Sequence, residues 1–414
     1  MKRFLVVLCT AAFALSLAGP AMSEDAAPAA PAPAANGEAA ANAPAQAAAV
    51  IDIAYLTIAR DHAPPRNNTQ PIPRDEGLMG AKLGIDDDNT TGKFTKQQFQ
   101  LHDVTVPAKG DVAGEFKKLV AAGYHYVVLN VPAKDIVALA DLPEAKDVVI
   151  FNAAMRVDRL RNADCRANVF HTIASRAMLT DALAQYLIKK KWNRWFLVTG
   201  QTGGDKLYAD NVKRAAKKFG AKIIAEKAWS YTAESVRRSE QAEIPVFTQG
   251  PDYDVLIVAD EGDAFGDDLM YRTWDPRPVA GTQGLVPADW HPAFDRWGAT
   301  QLENRFEKLA GRFMTSKDFA AWVAVRSIGE AATHAQSVDF GKIRDYMLSA
   351  DFTVGVFKGV GASYRPWDHQ LRQPILLAAP YTVVSDSPQP EFIHPVSNLD
   401  TLGFDKPETS CKFK

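Results

Sequence analysis

The stretch VLIVADEGDAFGDD, Val255–Asp268, decides the fold of this chain. It begins with five apolar residues, which are typical of a buried strand in a parallel sheet. It becomes acidic where that strand ends. In open α/β sheets the ligand crevice lies outside the carboxyl ends of the strands. Asp260, Glu261 and Asp263 are therefore expected to border a ligand cleft, the alternative being a solvated charged turn.

Strands and helices alternate on both sides of this stretch. Strands are predicted at Ile51–Ile58, Phe99–Val106, Tyr126–Asn130, Val148–Asn152, Arg194–Thr199, Lys222–Trp229 and Val255–Ala259. Helices are predicted near Asp75–Asp88, Asp111–Ala122, Ala133–Leu142, Ser175–Lys190, Asp205–Phe219, Thr300–Met314, Ser316–Ala335 and Phe340–Ser349. Such alternation indicates βαβ units, and hence an α/β fold with parallel sheets flanked by helices.

The chain of 414 residues is long enough for two domains. Segment 150–166, which contains the arginine-rich link 156–166, is interpreted as a crossing between two lobes. Residues 50–165 with 288–350 are predicted to form the first lobe, and residues 166–287 with 351–385 the second. The Pro-rich tail 386–414 is expected on the surface.

The first 23 residues have the features of an export signal. Lys2 and Arg3 precede the apolar segment Phe4–Ala18, and a small-x-small cleavage site ends at Ser23. Cleavage near Ser23 would leave the Ala/Pro-rich segment 24–49, whose composition predicts a disordered tether. The mature protein is therefore expected in the periplasm.

Removal of the signal leaves two cysteines, Cys165 and Cys411. In an oxidising compartment a single disulfide between them is the simplest prediction, and it would pin the tail to the body. The alternative is a free thiol. Because neither cysteine belongs to a CxxC motif, thiol redox catalysis and a cysteine zinc site are disfavoured.

Composition and motifs exclude several classes of function. The net charge is −2 and the one lysine run, Lys189–Lys191, ends a helical pattern, so nucleic acid is not expected as a partner. The sequence contains no Gly-x-Ser-x-Gly elbow, dinucleotide fingerprint or Walker lysine. An enzyme is therefore disfavoured, and no cofactor is expected.

Two acidic stretches are candidates for a hard metal ion. Asp87–Gln98 resembles the start of a calcium loop, but its twelfth residue is not Glu, so a helix C-terminus closed by Gly92 is the preferred interpretation. The second candidate is the set Asp260, Glu261 and Asp263, with Asp267 and Asp268 nearby, whose oxygens suit Ca²⁺ or a lanthanide.

Several longer motifs carry a family resemblance: Asp87–Gly92, Ala163–Asn168, Tyr271–Pro278, Gly281–Pro287 and Asn398–Phe404. With them, the chain resembles the periplasmic type I solute-binding proteins of ABC importers, in the branched-chain amino-acid-binding class. It is most similar to those encoded with PQQ-dependent alcohol dehydrogenase systems. The resemblance implies two lobes that close on a solute by hinge motion and deliver it to an ABC permease in the inner membrane.

The resemblance also implies a set of cleft residues. In the amino-acid binders, hydroxyl and backbone N–H groups after the third and fourth strands hold the ligand carboxylate. Asn130, Pro132, Asn152 and Ala153 take those positions here without a hydroxyl, which disfavours a leucine-like ligand. The remaining expected ligand-binding residues lie in both lobes and near the crossings: Thr57, Asp75, His171, Thr199, Asp260, Glu261, Trp274 and Trp290.

Three classes of ligand follow from the family setting: a small organic solute such as an alcohol-oxidation product, a PQQ-linked compound, and a lanthanide or its chelate. An organic or chelated solute is preferred over a bare metal ion, which needs six or more converging oxygens. A non-transport periplasmic sensor is the alternative to an importer component, because both use the same closure.

Overall fold

The computed structural model describes residues 49–59, 73–229 and 244–413. The predicted signal peptide and nearly all of the predicted tether lie outside these residues. Within them, no helix is long and apolar enough to span a membrane.

The first sheet has five parallel strands in the order β2-β1-β3-β4-β5. They are β1 (Ala49–Ile58), β2 (Gln97–Val106), β3 (Tyr126–Asn130), β4 (Val149–Asn152) and β5 (Val169–His171). The connecting helices are α1 (Leu78–Thr95), α2 (Val112–Ala121) and α3 (Ala133–Ala140). Val127, Val128 and Leu129 are buried because helices cover both faces of the sheet.

The second sheet has four parallel strands in the order β7-β6-β8-β9. Its elements are α4 (Arg176–Lys189), β6 (Arg194–Thr199), α5 (Gly203–Phe219), β7 (Lys222–Ala228), β8 (Val255–Ala259), α6 (Gly266–Leu269) and β9 (Val279–Gly281). Helix α5 begins with a capping box in which Thr202 and Asp205 each accept the other's backbone N–H. The predicted α/β fold with two parallel sheets is confirmed.

The last third of the chain adds helices and antiparallel strands. The helices are α7 (Ala299–Ala310), α8 (Ser316–Ala335) and α9 (Phe340–Met347). The strands are β10 (Val286–Ala288), β11 (Val354–Gly355), β12 (Gly361–Tyr364), β13 (Leu371–Arg372), β14 (Ile375–Ala379) and β15 (Thr382–Ser387). They form two small sheets, β10-β14-β15 and β11-β12-β13.

Each lobe has its own core. Helix α8 packs against α1 in the first lobe, and its Trp322 and Phe319 are fully buried there. In the second lobe, α4 packs against α5 and also contacts β14 and β15. The two lobes are therefore built from discontinuous parts of the chain.

The crossings lie at other positions than the sequence predicts. Segment 156–166 stays in the first lobe, because β5 follows it and pairs with β4. Val354 and Leu371 also pack in the first-lobe core, so the return to the second lobe comes after β13 rather than at residue 351. The chain passes between the sheets at 172–175, at Asp289 and at Gln373–Pro374, and these crossings hydrogen-bond to one another.

The acidic segment Asp86–Gly92 is neither a calcium loop nor a helix end. It lies inside α1, which continues to Thr95. Asp87 and Asp88 form ion pairs with Arg305 and Arg326, which explains the acidic run without a metal. Gly92 is required because a Cβ there would collide with the carbonyl oxygen of Gln97.

Most of the C-terminal tail lies at the surface, but parts of it are buried. Asp400 has no exposed area and accepts hydrogen bonds from Arg365 and Arg372. The predicted disulfide is present, between Cys165 and Cys411. The tail is therefore held both by the disulfide and by a buried ion-pair network.

Candidate ligand-binding cleft

Two cavities lie at the carboxyl ends of the strands. The first-lobe cavity has a volume of about 600 Å³ and is lined by Tyr55, Thr57, Ile58, Ala59, Pro73, Arg74, Asp75, Glu76, Leu78, Thr105, Asn130 and Lys317. The inter-lobe cavity, of about 770 Å³, is lined from both lobes. Its wall includes Ala154, Met155, Arg156, Val157, Arg176, Leu179, Tyr208, Asp260, Glu261, Asp263, Asp267, Thr282, Gln283, Pro287, Ser316 and Lys317. Lys317 lines both cavities, which makes them neighbours.

The wall of the first-lobe cavity is a hydrogen-bonded group at the ends of β1 and β3. Thr57 Oγ1 donates to the carbonyl oxygen of Asn130 at 3.1 Å. Asn130 Nδ2 donates to the Glu76 carbonyl oxygen at 3.2 Å and to Tyr55 Oη at 3.3 Å. Asn130 Oδ1 is buried and has no hydrogen-bond partner among the described residues. This wall therefore offers an acceptor to a ligand.

Charged residues of the first-lobe cavity are paired with one another across the chain. Lys317 Nζ lies 2.6 Å from Glu76 Oε2. Asp75 pairs with Arg312 at 3.0 Å, and Arg312 also pairs with the buried Asp318. The predicted ligand residue Asp75 thus lies on the cavity wall with its carboxylate already engaged.

Asp260 lies on the inter-lobe cavity wall, but its carboxylate holds the loop that follows β8. Oδ1 accepts the backbone N–H of Ala264 at 3.0 Å, and Oδ2 accepts those of Phe265 and Gly266 at 2.8 and 2.7 Å. The side chain is buried. Because both oxygens are used by the loop, the structure gives Asp260 a structural role rather than the predicted ligand role.

Glu261 lies on the same wall and pairs with Arg176, which also lines it. Arg176 Nε and Nη2 donate to the two Glu261 oxygens at 2.7 and 2.6 Å. Bidentate pairs of this kind are the stronger class of charged hydrogen bond. The Arg176 side chain is 12% exposed and that of Glu261 is 23% exposed, so the guanidinium is the better shielded of the two groups.

Arg156 joins the inter-lobe cavity to the crossings. It lies on the cavity wall, and its Nη2 is 2.5 Å from Oδ2 of the fully buried Asp289. Its Nη1 donates to the carbonyl oxygen of Ala174 at 3.0 Å. Asp289 and Ala174 belong to two different crossings, so Arg156 links the cavity wall directly to the hinge.

The inter-lobe wall also carries two buried polar atoms that have no hydrogen-bond partner in the described part of the chain. They are Arg176 Nη1 and Tyr208 Oη. Tyr208 is 2% exposed, and burial raises the pKa of its phenol, with Glu261 adding to the rise. At neutral pH this hydroxyl therefore remains protonated and able to donate.

Five other predicted site residues lie outside the lining of both cavities, four of them in the first lobe or near the crossings and Trp274 in the second lobe. Asn152 is buried, and its Oδ1 accepts the backbone N–H of Met155, which shapes the loop after β4. Its neighbour Ala153 is buried in the first-lobe core. His171 lies between Asn152 Nδ2 and the Leu160 carbonyl oxygen, and burial holds the pKa of His171 well below its usual value. Trp290 stacks on Phe319 within the first-lobe core, and Trp274 is exposed.

Thr199 ends β6, and its hydroxyl is buried without a hydrogen-bond partner within residues 49–59, 73–229 and 244–413. It is absent from the lining of either cavity. The predicted metal set is not assembled. Among the described residues, no group of three or more His, Cys, Asp or Glu side chains has an arrangement that would hold a metal ion.

Sequence analysis missed the cationic and aromatic residues of the cleft: Tyr55, Arg156, Arg176, Tyr208 and Lys317. Arg156 begins the arginine-rich segment, which was interpreted only as a link. Arg176 and Lys317 stand in the first turns of α4 and α8, where a cation is unfavourable to the helix dipole. A cation in the first turn of a predicted helix is the sequence signal that could have identified both residues.

Comparison with known proteins finds a family model that matches part of this chain. Residues 77–266, a little under half of the sequence, match the model of a family described as periplasmic binding protein. A search of curated proteins found no match.

Solved structures share the fold across the described lobes at low identity. A branched chain amino acid ABC transporter periplasmic ligand-binding protein from Burkholderia xenovorans LB400 is 15% identical, with a TM-score of 0.64 over 81% of this chain and 95% of that chain. A leucine-, isoleucine-, valine-, threonine- and alanine-binding protein from Brucella ovis, in its closed conformation, is also 15% identical, with a TM-score of 0.63 over 88% and 99%.

A solute-binding protein of an ABC transporter from R. palustris, in complex with benzoate, is 12% identical, with a TM-score of 0.59 over 88% of this chain and 100% of that chain. The similar proteins therefore match over nearly their whole length. The family model thus matches residues 77–266, and these solved structures share the two-lobed fold at 12 to 15% identity.

Proposed function

We propose that this protein is the solute-binding component of an ABC importer, that it works in the periplasm, and that it captures a small organic solute between its two lobes. The observation that carries the proposal is the inter-lobe cavity, whose wall combines residues at strand ends of both sheets. Its volume of about 770 Å³ falls within the range of small-molecule pockets.

The hinge supports capture by closure. The crossings at 172–175, Asp289 and Gln373–Pro374 meet beside this cavity, and Arg156 joins them to its wall. When two lobes close around a ligand, a few residues between them absorb the change in backbone angles while the lobes stay rigid. A solute that contacts both walls would therefore favour the closed arrangement by its differential affinity for it.

The names of the similar structures support the same function. Two are described as binding proteins for branched-chain or related amino acids, and one is in complex with benzoate. These are small organic molecules with a carboxylate. A binding protein is accordingly proposed rather than an enzyme, with an ABC permease in the inner membrane as partner.

The finer expectations from the sequence remain predictions. They are the link to PQQ-dependent alcohol oxidation, a PQQ-linked, lanthanide or metal-chelate ligand, and a sensor role without transport. A screen across ligand classes tests the predictions that concern the ligand.

The test is a thermal-shift screen of the purified protein with amino acids, short carboxylates, alcohols, PQQ, Ca²⁺ and La³⁺. A solute that binds only the folded state at 100 times its Kd adds about 2.7 kcal/mol of stability. We expect an organic solute to raise the Tm and to reduce the radius of gyration in solution scattering.

Ser316→Trp is the matched variant for the screen. Ser316 lies at the start of α8 on the inter-lobe wall, where an indole would fill the cavity without entering the core. The Tm rise should disappear in this variant. A solute that binds equally well to Ser316→Trp, or that leaves the radius unchanged, would contradict capture between the lobes.

A further inference from the structure

The inter-lobe cavity has a charge arrangement that selects among solutes. Arg156, Arg176 and Lys317 line it, and the acidic residues on the same wall are engaged or lie at its mouth. Asp260 is occupied by three backbone N–H groups. Asp263 is exposed and Asp267 half-buried, so solvent screens both.

Glu261 is the carboxylate best placed on this wall to receive an ammonium group. Both of its oxygens already accept from Arg176, at 2.7 and 2.6 Å. An amino group that entered would have to displace a largely buried guanidinium, which would then be left without its counter-charge. The wall is therefore unfavourable to the ammonium group of an amino acid.

The inter-lobe wall carries two hydrogen-bond donors that have no acceptor among the described residues. Arg176 engages Glu261 through Nε and Nη2, and its Nη1 has no acceptor among the described residues. Tyr208 Oη is likewise buried without a partner in the described chain, and Tyr208 is 2% exposed. A buried donor without an acceptor costs about 1–3 kcal/mol, so a ligand acceptor at these atoms would recover that free energy.

The first-lobe cavity has the opposite character. Among the described residues, its buried atom without a partner is an acceptor, Asn130 Oδ1. This assignment is fixed because Nδ2 of the same side chain donates to the Glu76 carbonyl oxygen. Lys317 lies between the two cavities and is neutralised by Glu76 at 2.6 Å. A solute that spans both cavities therefore meets an acceptor at the first lobe and donors at the second.

We infer that the solute is an organic anion that carries a carboxylate but no ammonium group, and that Arg176 and Tyr208 of the second lobe bind this carboxylate. The inference rests on the proposed function and names the ligand class for the same cleft. A hydroxyl on the solute would complement Asn130 Oδ1, so hydroxy acids fit both ends. The polarity is the reverse of the arrangement that the sequence resemblance implies, in which the first lobe holds the carboxylate.

The test uses carboxylates from acetate and lactate to benzoate, each compared with its amide and with the amine or amino acid of the same skeleton. Affinities are measured by isothermal titration calorimetry on the purified protein. We expect at least one carboxylate to bind, and its amide and amine to bind at least roughly tenfold more weakly, because hydrogen bonds to a charged group are the stronger ones.

Two variants locate the carboxylate. Tyr208→Phe removes one donor, and the double variant Arg176→Gln/Glu261→Gln removes the other without leaving an unpaired charge. Each variant should bind the carboxylate with an affinity that is lower by roughly tenfold or more. Tyr253→Phe is the control for the first, since Tyr253 is a buried tyrosine of the same lobe that does not line the cavity. Arg277→Gln, at a surface pair with Asp252, is the control for the second.

The inference fails if no carboxylate of the panel binds, if amides or amines bind as well as the acids, or if the acid binds both variants with unchanged affinity. Ser316→Trp separates this failure from that of the proposed function. If an amide or amine binds the unmodified protein and this binding is lost in Ser316→Trp, the proposed solute capture stands and only the inference of an anionic ligand is overturned. If binding persists in Ser316→Trp, both the proposed function and the inference of an anionic ligand are overturned.

Discussion

Arg156 on the cavity wall lies 2.5 Å from Asp289, which has no exposed area and sits at a crossing between the lobes. Asp289 Oδ1 accepts the backbone N–H of Ala174 at 2.7 Å and Gln373 Nε2 at 3.3 Å, so it contacts the other two crossings as well. One carboxylate thus ties together the whole hinge, and a cleft residue neutralises it.

Asp289→Asn should destabilise the protein strongly. It leaves Arg156 without its counter-charge and weakens the joint of the three crossings, and breaking a buried pair in this way typically costs about 3–5 kcal/mol. Urea denaturation gives the free energy of unfolding. Asp252→Asn, at an exposed pair with Arg194, should change it by less than about 1 kcal/mol. Equal effects of the two variants would contradict the hinge role.

Asp260→Ala should loosen the loop after β8 rather than act only on a ligand. Three backbone N–H groups lose their acceptor, at about 1–3 kcal/mol for each buried group that stays unsatisfied. Hydrogen exchange of Ala264, Phe265 and Gly266 should accelerate in the absence of any solute. Asp263→Ala, on the exposed part of the same loop, should leave these rates unchanged.

Lys358 makes stability depend on pH in the alkaline range. Its ammonium is buried, donates to Gln373 and to the Pro374 carbonyl oxygen, and lies 4.4 Å from the centre of the Phe319 ring. Burial, aided by Arg156 and opposed by Asp289 and Asp386, lowers the pKa of Lys358 from 10.5 to about 7.

Between pH 7 and 10.5 the unfolded chain therefore binds more protons at this lysine than the folded chain does. The free energy of unfolding then rises with pH across that window. Lys358→Met should flatten this rise, as measured by urea denaturation at a series of pH values. A slope that is the same in the variant would show that other groups cause it.

Reduction of the Cys165–Cys411 disulfide should lower the Tm. The bond closes a loop with a sequence separation of 246 residues, and disulfides typically contribute about 2–4 kcal/mol. Differential scanning calorimetry with and without a reductant measures the change. Cys165→Ala/Cys411→Ala should melt like the reduced protein and should not respond to the reductant.

The long buried strands were predictable from the sequence, whereas the short strands β5 and β9 and several helix ends were not. The predicted bounds are found for the runs Tyr126–Asn130, Arg194–Thr199 and Val255–Ala259. Strands that are buried on both faces consist mainly of apolar residues, so the sequence itself shows where they begin and end. The start of α1 depends instead on Gly77, whose positive φ and hydrogen bond to Asp318, 241 residues away, exclude it from the helix. No local pattern carries that information.

The cleft shows the same division. The rule that ligand crevices follow strand ends was sufficient to place Asp260 and Glu261 on a cavity wall. Their partners were not predictable, since Arg176 is 85 residues from Glu261 in sequence. Arg176 and Tyr208 each have a donor without an acceptor among the described residues. They become recognisable as ligand contacts only when both their hydrogen bonds and the cavity are known.

The discontinuity of the first lobe imposes an order on its biosynthesis. Its central helix α8 and the strands β11–β13 come from residues 316–372, after the whole second sheet. During synthesis, the first sheet would therefore have one face only partly covered until these residues arrive. Because contacts so distant in sequence form slowly, the first lobe should complete its core late in folding, and a chain truncated before α8 should require a chaperone to stay in solution.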